Sequence, residues 1–111
     1  MENTINTIQS TQPSLLPIAT GDVLKIFEVS GSPGMAMPLH YSTEEAVVTV
    51  KEGESKLQFQ DNEWILSVGD TFLIPAGKLH SLTILEEFKA LVVMPLKSNI
   101  KFVSKDGKIP A

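Results

Sequence analysis

The chain has no cysteine. Disulfides, thiolate nucleophiles and sulfur ligands for a metal are excluded at once. It has no arginine either, because all nine basic residues are lysines. The planar, two-pronged donor that grips carboxylates and phosphates is therefore missing, and an anion would have to be held by lysine, histidine, hydroxyl or backbone groups. Aromatic residues are sparse, with one Trp, one Tyr and five Phe, and there are two histidines. No apolar run approaches the roughly 20 residues that a membrane-crossing helix needs, so no membrane partner is expected. Met1 to Ile8 lack both the basic start and the apolar centre of a secretory signal, and residence in the cytoplasm is the expectation. A net charge of −4 argues against nucleic acid as a partner, since neutralising phosphates supplies most non-specific affinity.

What is present reads as one globular domain: 111 residues, 42% hydrophobic and 20% charged. Residues 1–14 are polar and are expected to form a flexible arm, with a single domain over 15–111. Leu15, Leu16 and Ile18 form the first apolar cluster, placed to anchor the arm on a sheet. Charge is uneven, because residues 97–111 hold four lysines against Asp106 while residues 1–96 hold five lysines and twelve acids. The basic tail is expected to be solvated.

β-Branched and aromatic stretches at Val23–Val29, Ala46–Val50 and Thr71–Ile74 read as strands, the last ended by Pro75, which cannot donate to a sheet ladder. Leu57 and Phe59 alternate with polar neighbours, as in a strand with one wet face. Lys51–Glu54 reads as a tight reversal, and His80–Leu85 with Phe88–Pro95 as a hairpin turning at Glu86 and Glu87. Ile100 to Val103 add a final short strand. Trp64 is expected in the core or at a subunit contact, and Tyr41 facing outward. Turn signals every eight to twelve residues and the lack of a helical stripe predict an all-β sandwich or barrel.

The two histidines carry the functional signal. His40 follows Pro38 at the end of one short strand, and His80 stands just past the corner at Pro75 and Gly77. Two histidines delivered this way point to one shared cavity. These segments resemble the two motifs of the cupin superfamily, which implies a jelly-roll β-barrel. In the second motif Gly69, Pro75, Gly77 and His80 fall on the marked positions, and Ile84 stands where the asparagine should be. In the first, Gly34, His40 and Gly53 match, while Ser42 replaces the second histidine and Ala46 the glutamate.

The resemblance implies a divalent metal (Fe, Mn, Ni or Zn) held by three histidines and one glutamate. Here it leaves His40 and His80, with Glu44 as the one nearby carboxylate whose strand parity matches. Two imidazoles fall short of the ligand count of ordinary zinc or non-haem iron sites. The resemblance and strand alternation place His40, Ser42, Ala46 and Val48 on one side of a pocket and Phe72, Ile74, His80, Leu82 and Ile84 on the other. That mostly apolar lining suits a small organic molecule with one or two polar groups. The leading expectation is thus a binding module for a small, largely apolar molecule, with weak or no metal dependence. The alternatives are a cupin enzyme of oxygenase or isomerase type using His40 and His80, and a structural module that pairs with itself. The resemblance implies a homodimer, which excludes neither pocket reading.

Overall fold

Ten strands and no helix make up residues 11–103, the part of the chain that the computed structural model describes. They are β1 (Ser14–Thr20), β2 (Leu24–Gly31), β3 (Ala36–Ser42), β4 (Ala46–Glu52), β5 (Glu54–Phe59), β6 (Glu63–Ser67), β7 (Thr71–Ile74), β8 (His80–Ile84), β9 (Phe88–Pro95) and β10 (Ile100–Phe102). A first sheet runs β1-β2-β9-β4-β7 and a second β10-β3-β8-β5-β6, with every pairing antiparallel. This is the all-β jelly-roll arrangement that the turn spacing and the motifs predicted. Ser14 already belongs to β1, which pairs along β2; the rest of the expected arm, residues 1–10, lies outside the described residues, as does the tail beyond 103.

Alternation along the strands decides what is inside. On β9 Phe88, Ala90, Val92 and Met94 are buried, and on β4 Ala46, Val48 and Val50. From the second sheet Leu57, Leu66 and Ile84 close the core. Each fully buried side chain of this size contributes roughly 1.5–3 kcal/mol relative to exposure.

Two connections differ from the expectation. β8 and β9 do not form a hairpin, because β8 pairs with β3 and β5 while β9 pairs with β2 and β4. The link at Glu86 and Glu87 carries the chain from the second sheet to the first. The expected reversal at Lys51–Glu54 is likewise a crossing, with β4 in the first sheet and β5 in the second. The two crossings lie against each other. Leu85 and Glu86 both donate their N–H to the Glu54 carbonyl, at 2.9 and 3.2 Å. Gly53, at φ +76, is packed so tightly on Glu87 that a Cβ there would collide with the Glu87 carbonyl. A hairpin and a sheet-to-sheet corner use the same turn residues, and only the long-range ladders separate them. Trp64 is half exposed on β6, its ring 5.6 Å from that of Phe72.

Candidate functional site

The site is built where β3 and β8 run side by side. His40 and His80 are direct cross-strand partners, so both imidazoles leave the second sheet at one level. A β-bulge between Met37 and His40 makes this possible, since Pro38 and Leu39 together oppose only Ser81. The bulge lets Met37 and His40 both face inward although three residues separate them, and Pro38, with no N–H, suits the interrupted ladder. On β8 the approach is set by the corner at Pro75 and Gly77. Gly77 holds φ +74 and donates its N–H to the Ser42 carbonyl at 2.8 Å, which ties the two histidine segments together.

Both rings are anchored in the same way. His40 Nδ1 lies 2.6 Å from the Pro38 carbonyl and His80 Nδ1 lies 2.8 Å from the Lys78 carbonyl, each two residues back. A carbonyl only accepts, so each Nδ1 carries the proton and donates, leaving the distal Nε2 as a bare lone pair. The ring centroids are 4.2 Å apart in an edge-to-face arrangement. Phe102 flanks His40 at 5.4 Å and Phe59 flanks His80 at 5.6 Å, so one row of four rings crosses β10, β3, β8 and β5. Lys78 Nζ sits 4.6 Å above the Phe59 ring.

The imidazoles are held neutral. His40 is 5% exposed, and its pKa is lowered from 6.5 to about 4, first by burial and then by the neighbouring His80, against a smaller opposing effect from the Pro38 hydrogen bond. Burial lowers His80 as well, opposed by its bond to Lys78. Neutral rings avoid placing charge in an apolar interior.

Behind the pair lies a cavity of about 50 Å³. His40, Ser42, Ala46, Val48, Ile74, His80 and Leu82 line it, but the walls divide differently from the expectation. β3 and β8 put His40, Ser42, His80 and Leu82 on the second sheet, and β4 and β7 put Ala46, Val48 and Ile74 on the first. Phe72 and Ile84 face the interior but do not line the cavity. Phe72 stacks on Phe59 with centroids 6.0 Å apart, and Ile84 packs at the far end beside Gly31 and Met35. The sequence reading missed Met37, Leu57, Leu66 and Ile100, and the whole contribution of β2 and β9, including Phe27, Val29 and Val92. The alternation Phe88, Ala90, Val92, Met94 was the available signal, but the hairpin reading pointed β9 to the wrong sheet.

The donor set does not fit the family's usual metal. Ser42 and Ala46 occupy two of its four ligand positions, and no third His, Cys, Asp or Glu joins the histidines among the described residues. Glu44 does not line the cavity. Its carboxylate lies 4.0 Å from Lys97 Nζ, and its N–H donates to Ser98 Oγ at 3.2 Å. Two imidazoles alone fall below the three or four protein ligands such ions take.

Two antiparallel sheets around a histidine-marked internal cavity define a small all-β jelly-roll barrel. The family model described as the cupin domain matches residues 27–94, and the chain belongs to that family. Over 84 residues it is 34% identical to the quercetin 2,3-dioxygenase of Bacillus subtilis, an overlap of 74% of this chain and 25% of that protein. The chain thus spans about a quarter of the length of this curated relative. Among solved structures it is similar to a cupin-2 domain protein from Shewanella frigidimarina, with TM-score 0.65 and 25% identity over 78% of this chain and 82% of that one. It is also similar to the polyketide cyclase RemF from Streptomyces resistomycificus, with TM-score 0.66 and 25% identity over 78% of this chain and 66% of that one. No helix among the described residues is long and apolar enough to cross a membrane.

Proposed function

We propose that this chain binds a small, largely apolar molecule inside the barrel and needs no protein-held metal to do so. The observation that carries this reading is the cavity itself, walled by aliphatic and aromatic side chains except for His40, Ser42 and His80. An apolar void with a few convergent polar groups is the usual form of a small-molecule site. The names of two relatives, a dioxygenase and a cyclase, favour an enzyme instead. Against that, an imidazole whose pKa lies at about 4 is a weak base near neutrality, and no carboxylate lines the cavity beside it.

The test is elemental analysis together with ligand-observed NMR against a set of small apolar compounds, with and without EDTA. Binding that survives EDTA and disappears in Ala46→Leu, which fills the cavity, is the expected result. Stoichiometric metal, lost in a His40→Ala, His80→Ala variant, would replace this reading with the metal-dependent one. A role in self-pairing has its own support in β1, an edge strand whose seven residues are all exposed, Leu16 and Ile18 by more than half. Edge strands of this kind invite a further strand. A dimer by light scattering is the expected outcome, and a monomer at micromolar concentration would remove the idea.

A further inference from the structure

The pocket's polar end has a definite sense. Pro38 and Lys78 each supply a carbonyl that takes the Nδ1 proton of the following histidine. The distal nitrogens of His40 and His80 are therefore acceptors, on rings whose centroids lie 4.2 Å apart. No lysine lines the cavity, and the chain has no arginine to place there. Lys78, the cation next to His80 in sequence, is directed over the Phe59 ring.

We propose that the cavity selects a neutral molecule whose apolar body carries a hydrogen-bond donor, a hydroxyl or N–H, and refuses carboxylates. This rests on the small-molecule reading above and gives it a ligand class. A hydroxyl donates to one Nε2 and leaves its oxygen free to accept from the Ser42 hydroxyl. A carboxylate meets two lone pairs and no cation, and loses its hydration on entry. The enclosed space, about 50 Å³, is smaller than the roughly 150 Å³ apolar cavity that holds benzene. The ligand is thus no larger than a single ring, and a ring enters only as the side chains around it shift.

Phenol, toluene and benzoate share a ring and differ at the polar end, so they make the test. Each is titrated into the protein at pH 7.5 with EDTA, following the ¹⁵N resonances of the two histidines. Phenol is expected to bind roughly tenfold tighter than toluene and to move an Nε2 resonance that toluene leaves in place, with benzoate not binding. In His80→Phe the preference for phenol over toluene should fall toward one; where that variant does not fold, the wild-type resonances decide. Toluene or benzoate binding as tightly as phenol overturns the donor requirement and leaves the cavity reading standing. If all three fail to bind, both fall together.

Discussion

The two sheets contribute unequally to the interior they enclose. The inward side chains of the first sheet are all apolar: Phe27 and Val29 on β2, Ala46, Val48 and Val50 on β4, Phe72 and Ile74 on β7, and the alternating set on β9. The second sheet carries every buried polar side chain that a strand supplies, namely His40, Ser42, Ser55 and His80. One wall gives shape and the other gives chemistry. A buried polar group is stable where a backbone partner meets it, and for the two histidines the bulge at Met37–His40 and the corner at Gly77 supply those partners on the second sheet.

The strongest way to break this contrast is to put charge on the shape-giving wall. Val50 is 2% exposed in the solid part of the core, and Val50→Asp should cost more than about 4 kcal/mol or prevent folding, as read by denaturant titration. Ser42→Val on the other wall, at a similarly buried site, should fold with a far smaller loss. Next in size is the seam between the sheets. Gly53→Ala forces a side chain into the left-handed region and against the Glu87 carbonyl, neither of which a rotamer change relieves. A loss of about 3 kcal/mol is expected. An unchanged thermal midpoint would show that the two crossings are not held together there.

The same seam marks the boundary of what the sequence discloses. Strand positions were legible from alternation and from Pro75 and the glycine turns, because those signals are local. Sheet membership was not. The residues around Gly53 and Glu86–Glu87 suit a hairpin as well as a crossing, and the choice is made by ladders between strands distant in sequence. Alternation also gives the face of a residue without its depth. Phe72 and Ile84 were placed on the interior face correctly, yet they lie off the cavity, while Ile100 reaches it only because β10 pairs back to β3. The histidine pair was legible for a different reason: the chain has only these two, each beside a turn that fixes its exit.

Acid should expose the cost of that pair. His40 titrates at about 4 when folded and 6.5 when unfolded, so the unfolded chain takes up the proton first. Stability is then full above pH 6.5, falls as pH drops toward about 4 and levels off below it. Between pH 7.5 and 4.5 His40 alone should remove roughly 2 to 3 kcal/mol, and the lowered His80 adds to the loss in the same direction. Chemical denaturation at the two pH values measures it, and His40→Phe should flatten the dependence. A wild-type curve as flat as the variant's would mean that the rings are not buried neutral.

The smallest expected effect sharpens the contrast from inside the second sheet. Ser55 lies on β5 opposite Ile84, four residues along β8 from His80 and so about 13 Å from the site. It is fully buried, and its hydroxyl is the one buried side-chain polar atom without a hydrogen-bond partner among the described residues. His40 and His80 show what a polar side chain on this wall needs, a backbone carbonyl within reach, and Ser55 has none. Ser55→Ala removes the stranded hydroxyl and leaves only a small void, so the variant should be more stable by about 1 kcal/mol, a rise of a few degrees in thermal midpoint. Ser42→Ala, made at the cavity, should instead leave stability nearly unchanged and weaken the binding of a hydroxyl-bearing ligand. If both serines responded alike, the polar wall would be uniform, and the histidine end would hold no special claim to the chemistry.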